Sequence, residues 1–510
     1  MARTSKPSPG RVGQVIGIVA SLTGLAFSEL VAQFNKSWHN PIISIGNRII
    51  DHVPNFVKEL VIRTVGVNDK TFLLFSIFII VLILSAIAGR RFAFGNKKSG
   101  SAIIIAMSSI AAIASLFDAK ANIFSLLPTI SAGFITIFVM QKHAAKSEYS
   151  DLIGTDLSKR ETLKFVGLVS IFALAATGFG RVLRDQASVQ IQRIKVVLPK
   201  PLKFLPKPKL DPATEIPGLS ALITPNSQFY RIDTSLSIPN ISLDTWRLTI
   251  DGMVATPREF TYKELTSRPV FELDDTIACV SNEIGGNLVG NARWLGIRLD
   301  DLIQEVMPTA KADQVMGYSV DGFSAGFPLA ALDGRDAMIA IGMNGESLPA
   351  KHGFPARIIV PGLYGYVSAT KWLSRIELTR FDTKQGYWIP RGWSAQGPIK
   401  TSSRIDTPKN GWRIESGKNV IAGVAWAPTR GISRVEVRVE GAKWMDAILG
   451  PELANTTWRQ WWLEWNAEPG NQAISVRATD GMGETQSEKE VSVSPNGAEG
   501  WHTITVSVTR

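Results

Sequence analysis

Five long apolar runs in the first third of the 510-residue chain constrain its fold more than any other feature. They lie at residues 12–28, 71–89, 101–117, 121–140 and 165–180, and none contains a charged residue. Each is close to the ~20 residues that an α-helix needs to cross the hydrocarbon core of a bilayer. The runs predict a five-helix transmembrane domain over residues 1–180, although the shorter first and fifth runs also fit buried helices of a soluble domain.

Lysine and arginine between the runs predict an orientation. They precede the first run, separate the second from the third, and separate the fourth from the fifth. Loops rich in these residues stay in the cytoplasm. The sequence therefore predicts a multi-pass protein of the cell membrane whose chain after residue 180 is extracytoplasmic. The net charge of +11 is explained by these loops and the linker, and no basic motif with interleaved aromatics points to nucleic acid.

The segment before the fifth run carries a second signal. Residues 158–164 read Ser-Lys-Arg-Glu-Thr-Leu-Lys, which resembles a twin-arginine export signal with Lys159 in place of the first arginine. One hypothesis is that the fifth run is an uncleaved twin-arginine anchor. The alternative is that Lys159 and Arg160 only follow the bias that keeps basic residues inside.

The remaining chain divides into three parts. Residues 181–220 form a Pro/Lys-rich linker, whose Pro-Lys-Pro repeats favour an extended spacer. Residues 221–404 mix short strands with a few helices and predict an α+β domain. Residues 405–510 alternate apolar and polar positions between turn signals, which is typical of a β-sandwich.

Cys279 is the only cysteine of the chain and stands at the end of a short β-type run, before a glycine-rich segment. A lone thiol cannot form an internal disulfide, so it is either a small buried hydrophobic residue or a soft ligand and nucleophile.

Four sequence blocks favour a ligand role for Cys279 over that of a small buried hydrophobic residue. They are residues 279–282, 291–299, 343–362 and 371–373, and in order and approximate spacing they resemble the sulfite oxidase family of molybdopterin enzymes. The resemblance covers about residues 220–500. It implies that the Cys279 thiolate binds molybdenum, that the cofactor is one molybdopterin, and that the C-terminal part is an immunoglobulin-like dimerisation domain, hence a homodimer.

The resemblance also implies a set of site residues. Arg231 matches an arginine of the anion site and joins Cys279 as a catalytic candidate, while His352 and Arg357 match residues that hold the pterin and its phosphate. The cofactor-binding candidates are Asn226, Tyr230, Arg231, Asp321, Ser324, His352, Arg357, Ser368, Thr370 and Lys371.

Departures from the family pattern bear on the substrate. Ile284 stands where sulfite oxidases carry a sulfite-binding arginine, Phe323 replaces the active-site tyrosine, and Asp233 replaces a histidine. The loss of a cation beside Glu283 disfavours a small dianion. We therefore expect oxygen-atom transfer on a neutral or zwitterionic small molecule, such as a sulfoxide or N-oxide.

Other functions remain open from the sequence. With no haem or flavin signature, electrons would pass to or from a partner, either a cytochrome or a quinone-linked protein. One alternative is sulfite oxidase proper, whose anion site would use Arg231 and other cations. Another is a non-catalytic binding or sensor protein, against which the joint presence of Cys279, His352 and Arg357 argues.

Overall fold

The computed structural model describes residues 9–35, 38–54, 57, 61, 64–65, 69–118, 121–153, 192–208, 215–236 and 238–510. The chain divides into two compact units. The first comprises Met1–Ala187 with Thr234–Ile238, and the second comprises Ser188–Asp233 with Pro239–Arg510. The predicted fifth apolar run and the Lys159-Arg160 segment lie outside the described residues.

The first unit is helical. Its helices are α1 (Pro9–Ala32), α2 (Pro41–His52), α3 (Asp69–Ala93), α4 (Lys97–Ser115) and α5 (Leu127–Ile153), with a 3₁₀ turn at Ile123–Leu126 before α5. The segments Gly10–Ala32, Asp69–Ala93, Lys97–Ser115 and Ile123–Lys142 are long and apolar enough to cross a membrane. The first four apolar runs are thus confirmed as helical segments of sufficient length.

Small residues let α1 approach its neighbours closely. A Cβ added at Gly17 would lie 2.0 Å from the Ser85 carbonyl oxygen of α3, and one at Gly24 would lie 2.4 Å from the Ala132 carbonyl oxygen of α5. The hydroxyls of Ser21 and Ser85 are 2.5 Å apart, in hydrogen-bond contact. Such contacts replace the hydrophobic effect as the force that holds helices together in lipid.

A buried aspartate ties α2 to the segment after α4. Asp118 accepts hydrogen bonds from Ser44 (2.6 Å) and Asn47 (2.8 Å), and His39 Nδ1 lies 3.2 Å from its carboxylate. Burial acts to raise the pKa of Asp118, but the hydrogen bonds from these three residues outweigh it and lower that pKa. The carboxylate therefore stays ionised and holds the connection in place.

The first part of the second unit contains two five-stranded sheets. The strands are β1 (Arg247–Gly252), β2 (Arg258–Thr261), β3 (Phe271–Ala278), β4 (Val289–Arg298), β5 (Gln314–Ser319), β6 (Ser324–Pro328), β7 (Met338–Met343), β8 (Glu346–Ser347), β9 (Arg357–Ile359) and β10 (Leu373–Thr379). One sheet has the order β2-β1-β10-β5-β6. The other has the order β3-β4-β7-β8, with β9 also paired to β7. Short helices α6 (Tyr262–Thr266), α7 (Leu299–Glu305) and α8 (Gly365–Ser368) complete an α+β arrangement.

The C-terminal part is made of two sheets that share a core. The strands are β11 (Ser402–Thr407), β12 (Arg413–Glu415), β13 (Gly417–Trp426), β14 (Ile432–Val439), β15 (Met445–Asp446), β16 (Ile448–Leu449), β17 (Arg459–Ala467), β18 (Gly470–Asp480) and β19 (His502–Thr509). The orders are β11-β13-β17-β16 and β12-β19-β18-β14-β15. Ile421 and Trp461 of the first sheet pack with Val437 and Val476 of the second. The immunoglobulin-like assignment stays a prediction.

The described part of the linker lies against the second unit and is not a free spacer. The Arg193 side chain donates to the Leu348 carbonyl (2.6 Å), and the Leu202 amide donates to the Val270 carbonyl (2.9 Å). Arg293 donates to the Pro206 carbonyl (2.9 Å). The second unit thus satisfies backbone groups of this segment, including the Pro206 carbonyl.

Candidate functional site

Cys279 follows directly after strand β3, at the start of a tight loop. Its amide donates to the Leu288 carbonyl (2.9 Å), and the Asn282 side chain accepts from the Leu288 amide (2.7 Å), so the loop closes on itself. The residue is only 8% exposed. Burial raises the pKa of the Cys279 thiol, and hydrogen bonds with Ser281 offset this only in part. A thiolate at this position therefore needs a nearby cation, such as a metal ion.

Arg357 on β9 is a buried cation. It is 5% exposed, donates to the His352 carbonyl (3.1 Å), and its guanidinium carbon lies 5.2 Å from the centroid of the Trp294 ring. No carboxylate of the described residues lies within ion-pair distance of it. Burial lowers the pKa of Arg357 to about 10, so the side chain is still charged at neutral pH. A buried guanidinium without a counter-ion is suited to an anionic ligand such as a phosphate.

His352 ends a 3₁₀ turn, Ala350–His352, that Gly353 closes in the left-handed conformation with φ at 114°. Its Nε2 lies 3.0 Å from the Asn226 carbonyl oxygen, which can only accept. Burial lowers the pKa of His352 to about 3, and the charges of Arg357, Lys351 and Lys371 act in the same direction. The imidazole is thus neutral, with Nε2 as donor and Nδ1 left as an acceptor.

Asp233 is held between two cations. Arg231 Nε lies 2.7 Å from its carboxylate, and Lys371 Nζ lies 2.9 Å from the same oxygen. Burial lowers the pKa of Lys371 to about 8, although Asp233 acts against this shift. Both cations are therefore already paired with Asp233, which reduces the positive charge that they offer to a free anion.

Buried polar atoms without a hydrogen-bond partner gather around Arg357. Of the twelve such side-chain atoms in the described part of the chain, four lie at or beside Arg357, namely Asp275 Oδ1, Trp294 Nε1, Arg357 Nε and Thr370 Oγ1, and a fifth, Asp321 Oδ2, belongs to a residue that interacts with Lys371. An unmade hydrogen bond costs about 1–3 kcal/mol at a buried group. A polar ligand with both donors and acceptors would satisfy this set, so the residues fit a pterin and its phosphate.

Contacts and charge interactions connect these atoms. Arg357 Nη2 approaches the Ala369 carbonyl at 3.5 Å, directly before Thr370. Burial lowers the pKa of Arg357, and electrostatic interactions first with Tyr230 and then with Asp275 act against this shift, while Asp321 interacts with Lys371. Burial, followed by the neighbouring Cys279, raises the pKa of Tyr230 well above its usual value. The structure thus brings Tyr230, Arg357 and Cys279 into one neighbourhood.

The side chains of Asn226 and Ser368, two of the remaining predicted residues, have protein partners. The Asn226 amide donates to Glu346 (2.8 Å) and accepts from Asn344 (2.8 Å). The Ser368 hydroxyl is directed at the Leu363 and Tyr364 carbonyls, 3.0 Å from each. Ser324 begins β6. Their roles at a cofactor stay predictions, as do those of the other candidates.

Sequence reasoning missed Asp275. It is 1% exposed on β3 and one of its carboxylate oxygens has no partner. The signal in the sequence was an acidic pair, Asp274-Asp275, inside a strand that is otherwise buried. Carboxylates are seldom fully buried unless they are paired, so this pair is a site candidate on composition alone.

The two apolar residues that stand where the family pattern has an arginine and a tyrosine, Ile284 and Phe323, are packed against other side chains. A Cβ added at Gly500 would lie 2.5 Å from Ile284 Cδ1, so Ile284 packs against the C-terminal sandwich. Phe323 packs on Tyr387 with ring centroids 5.8 Å apart. A cavity beside the Cys279 loop is lined from both parts of the unit, including Glu283, Ile284, Tyr364, Ser403, Gln486 and Gly500.

Comparison with known proteins decides the family. The model of the "Oxidoreductase molybdopterin binding domain" matches residues 235–388. The uncharacterized oxidoreductase YuiH of Bacillus subtilis is 30% identical over 152 residues, covering 30% of this chain and 74% of that protein. Human mitochondrial sulfite oxidase is 28% identical over 331 residues, 56% of this chain. The chain belongs to the sulfite oxidase family of molybdopterin-dependent oxidoreductases.

This member of the sulfite oxidase family therefore contains a molybdopterin-binding domain of the oxidoreductase type. It spans 59% of the length of the human relative. Among solved structures, the sulfane dehydrogenase SoxCD of Paracoccus pantotrophus matches with a TM-score of 0.50 at 22% identity, covering 58% of this chain and 86% of that chain. At this identity the likeness shows the fold alone. Within the described residues, no three His, Cys, Asp or Glu side chains form a metal-binding group.

Proposed function

We propose that this chain is a membrane-anchored molybdopterin-dependent oxidoreductase that catalyses oxygen-atom transfer on a small neutral or zwitterionic substrate, on the outer side of the membrane. The observation that carries the proposal is the group of unpartnered buried polar atoms around Arg357, close to Tyr230 and Cys279. Leaving these buried groups without hydrogen bonds costs free energy, and a polar, anionic cofactor would supply the missing partners.

In this proposal Cys279 is the protein ligand of molybdenum, because a thiolate is the soft ligand that such a metal suits. Arg357 and Lys371 hold the phosphate, and the neutral His352 offers Nδ1 as an acceptor toward the pterin. The bound cofactor supplies two-electron oxygen-atom transfer. The protein orients the cofactor and keeps water out of the site.

The substrate class follows from the charges near the site. Ile284 offers no cation, and the guanidinium of Arg231 is already paired with Asp233. A dianion such as sulfite would meet Glu283 without a free arginine to offset the repulsion. A sulfoxide or an N-oxide carries no net charge and avoids this cost.

The four long apolar helices support membrane anchoring, and the basic loops support an extracytoplasmic catalytic part. The electrons for the reaction would come from or go to a cytochrome or a quinone-linked protein. The sandwich of residues 405–510 would serve as the dimerisation domain of a homodimer. These assignments rest on the sequence and the family.

The test is the molybdenum and pterin content of the detergent-purified full chain, measured beside the Cys279→Ser variant. We expect about one molybdenum per chain in the wild type, and a changed metal spectrum with loss of turnover in the variant. Pterin should stay bound in the variant, because Arg357 and Lys371 are intact. A wild-type chain without molybdenum or pterin, made in cells that produce the cofactor, would leave a binding or sensor protein as the better reading.

The same preparation tests the substrate class. A panel of sulfoxides, N-oxides and sulfite, assayed with an artificial electron donor or acceptor, should give a higher kcat/KM for a neutral oxide than for sulfite. A preference for sulfite would instead mean that Arg231 and other cations form the anion site despite Asp233.

A further inference from the structure

The carboxyl group of Asp275, one oxygen of which has no hydrogen-bond partner, lies on the face of β3 that leads to Cys279. Side chains alternate along a strand, so Leu273, Asp275 and Ile277 share one face, and Cys279 continues the same alternation directly after the strand. Asp275 is 1% exposed and its Oδ1 has no hydrogen-bond partner. Its neighbour Asp274 points to the opposite face, where Arg293 binds both of its oxygens at 2.9 and 2.7 Å.

Trp294 on β4 supplies a donor on the same face. Leu273 is directly opposite Trp294, and Asp275 is opposite Ala292, so Asp275 and Trp294 are diagonal neighbours across the strand pair. Such neighbours lie roughly 7–8 Å apart at Cα, within reach of long side chains. Trp294 is fully buried, its Nε1 has no partner, and its ring packs under the guanidinium of Arg357.

An acceptor without a donor therefore lies beside a donor without an acceptor, next to a buried cation. Two such groups that served only the fold would be expected to bond to each other or to the backbone. The pyrimidinone ring of a pterin presents the complementary pattern, because its N3–H and 2-amino groups donate and its 4-oxo group accepts. A phosphate fits Asp275 poorly, since phosphate oxygens chiefly accept hydrogen bonds and cannot replace the N–H donors of the pyrimidinone edge.

We propose that Asp275 and Trp294 bind the pyrimidinone edge of the pterin, with Asp275 accepting from its N–H groups and Trp294 Nε1 donating to its carbonyl oxygen. This inference rests on the proposed function, because it requires a bound molybdopterin. It adds two residues to the cofactor site, neither of which the sequence comparison had assigned a role.

The test uses the detergent-purified full chain with cofactor, and follows the release of pterin into buffer by the fluorescence of its oxidised form. Asp275→Asn replaces an acceptor oxygen by a donor amide, and Trp294→Phe removes only the N–H while keeping a ring under Arg357. We expect each variant to release pterin about tenfold faster than the wild type, the effect of one lost buried hydrogen bond.

Two controls are matched to these variants. Trp461→Phe removes another fully buried, unpartnered Nε1, but in the core of the C-terminal sandwich, and should leave the release rate unchanged. Asp274→Asn breaks the ion pair with Arg293 and should lower the melting temperature without a comparable change in pterin release.

A second measurement separates a cofactor role from a structural one. In chains made by cells that cannot synthesise the cofactor, Asp275→Asn should raise the melting temperature, because burial raises the pKa of Asp275 well above its usual value and folding at neutral pH must therefore protonate or desolvate this carboxyl group at a cost in free energy. A structural role predicts the opposite sign. Wild-type release rates in both variants, or a lower melting temperature of cofactor-free Asp275→Asn, would overturn the inference. A wild type that never holds pterin would overturn the proposed function as well.

Discussion

At the scale of single residues, the site is defined by side chains whose hydrogen-bonding capacity the protein itself leaves unused. Arg357 donates to the His352 and Ala369 carbonyls, yet its Nε has no partner and no described carboxylate pairs with it. Nearby, the Arg231–Asp233–Lys371 group is internally satisfied. Arg357 therefore has an unused donor for an anionic ligand, whereas Lys371 shares its charge with Asp233.

His502 is a residue whose protonation limits stability. Its Nδ1 accepts from the Ile405 amide (3.0 Å), and a Cβ at Gly285 would lie 2.3 Å from its ring, so the imidazole supports the loop after Cys279. Burial, with the charge of Arg404 second, lowers the pKa of His502 to about 4. Protonation would remove the acceptor that the Ile405 amide needs.

The sign of the resulting pH dependence follows from linkage. The unfolded chain binds a proton on this residue below about pH 6.5, and the folded chain does so only near pH 4. The free energy of unfolding of the second unit should therefore fall between pH 6.5 and 4, by on the order of 3 kcal/mol from His502, and keep this contribution above pH 6.5. Denaturant unfolding followed by tryptophan fluorescence measures it. His502→Gln should flatten the curve, and an unchanged slope would contradict the assignment.

At the scale of elements, the ends of strands and the close approach of helices decide the arrangement. β3 stops at Ala278, so Cys279 falls in a loop whose Leu288 and Asn282 contacts fix it. The C-terminal sandwich supports that strand, because Thr456 donates to the Asp274 carbonyl (2.6 Å) and Arg404 donates to the Gly286 carbonyl (2.7 Å). The sandwich thus contributes to the geometry of the site.

The contact of α1 with α3 gives a prediction for the helical unit. Gly17→Val would place atoms where Ser85 and Gly89 backbone now lie, so the two helices must separate. We expect a loss of at least about 2 kcal/mol of stability, seen as lower thermal stability of the unit in detergent. Ala102→Val, which adds bulk at an exposed position of α4, is the control and should have little effect. Equal behaviour of the two variants would mean that the α1–α3 contact is loose.

At the scale of the whole molecule, the proposed orientation requires the second unit to reach the outer side of the membrane. If the segment around Lys159 and Arg160 is a twin-arginine signal, the double change Lys159→Gln with Arg160→Gln should keep the C-terminal part in the cytoplasm. Protease added to the outside of spheroplasts should then no longer cleave it. Export that persists in the double variant would show that the two residues follow only the positive-inside bias.

Sequence periodicity was sufficient for the elements but not for the site. Charge-free runs near the spanning length predicted the first four helical segments, and alternating runs predicted β13, β14, β17 and β18 of the sandwich. The family blocks predicted Cys279, His352 and Arg357. The last strand, β19, was not predicted. Asp275 was also missed, because a single carboxylate inside a strand belongs to no motif whose spacing would indicate a binding role.

The sequence by itself therefore determined the family, the helical N-terminal part and the cofactor class, because these depend on local hydrophobicity and on residue types at fixed spacing. Tertiary structure decided which side chains are left without partners. Asp233 became a partner of Arg231 and Lys371, while Asp275, Trp294 and Arg357 met on one face of a sheet with unused donors and acceptors. The physical reason is that hydrogen bonding and charge pairing depend on distances between residues far apart in the chain, and only folding sets those distances.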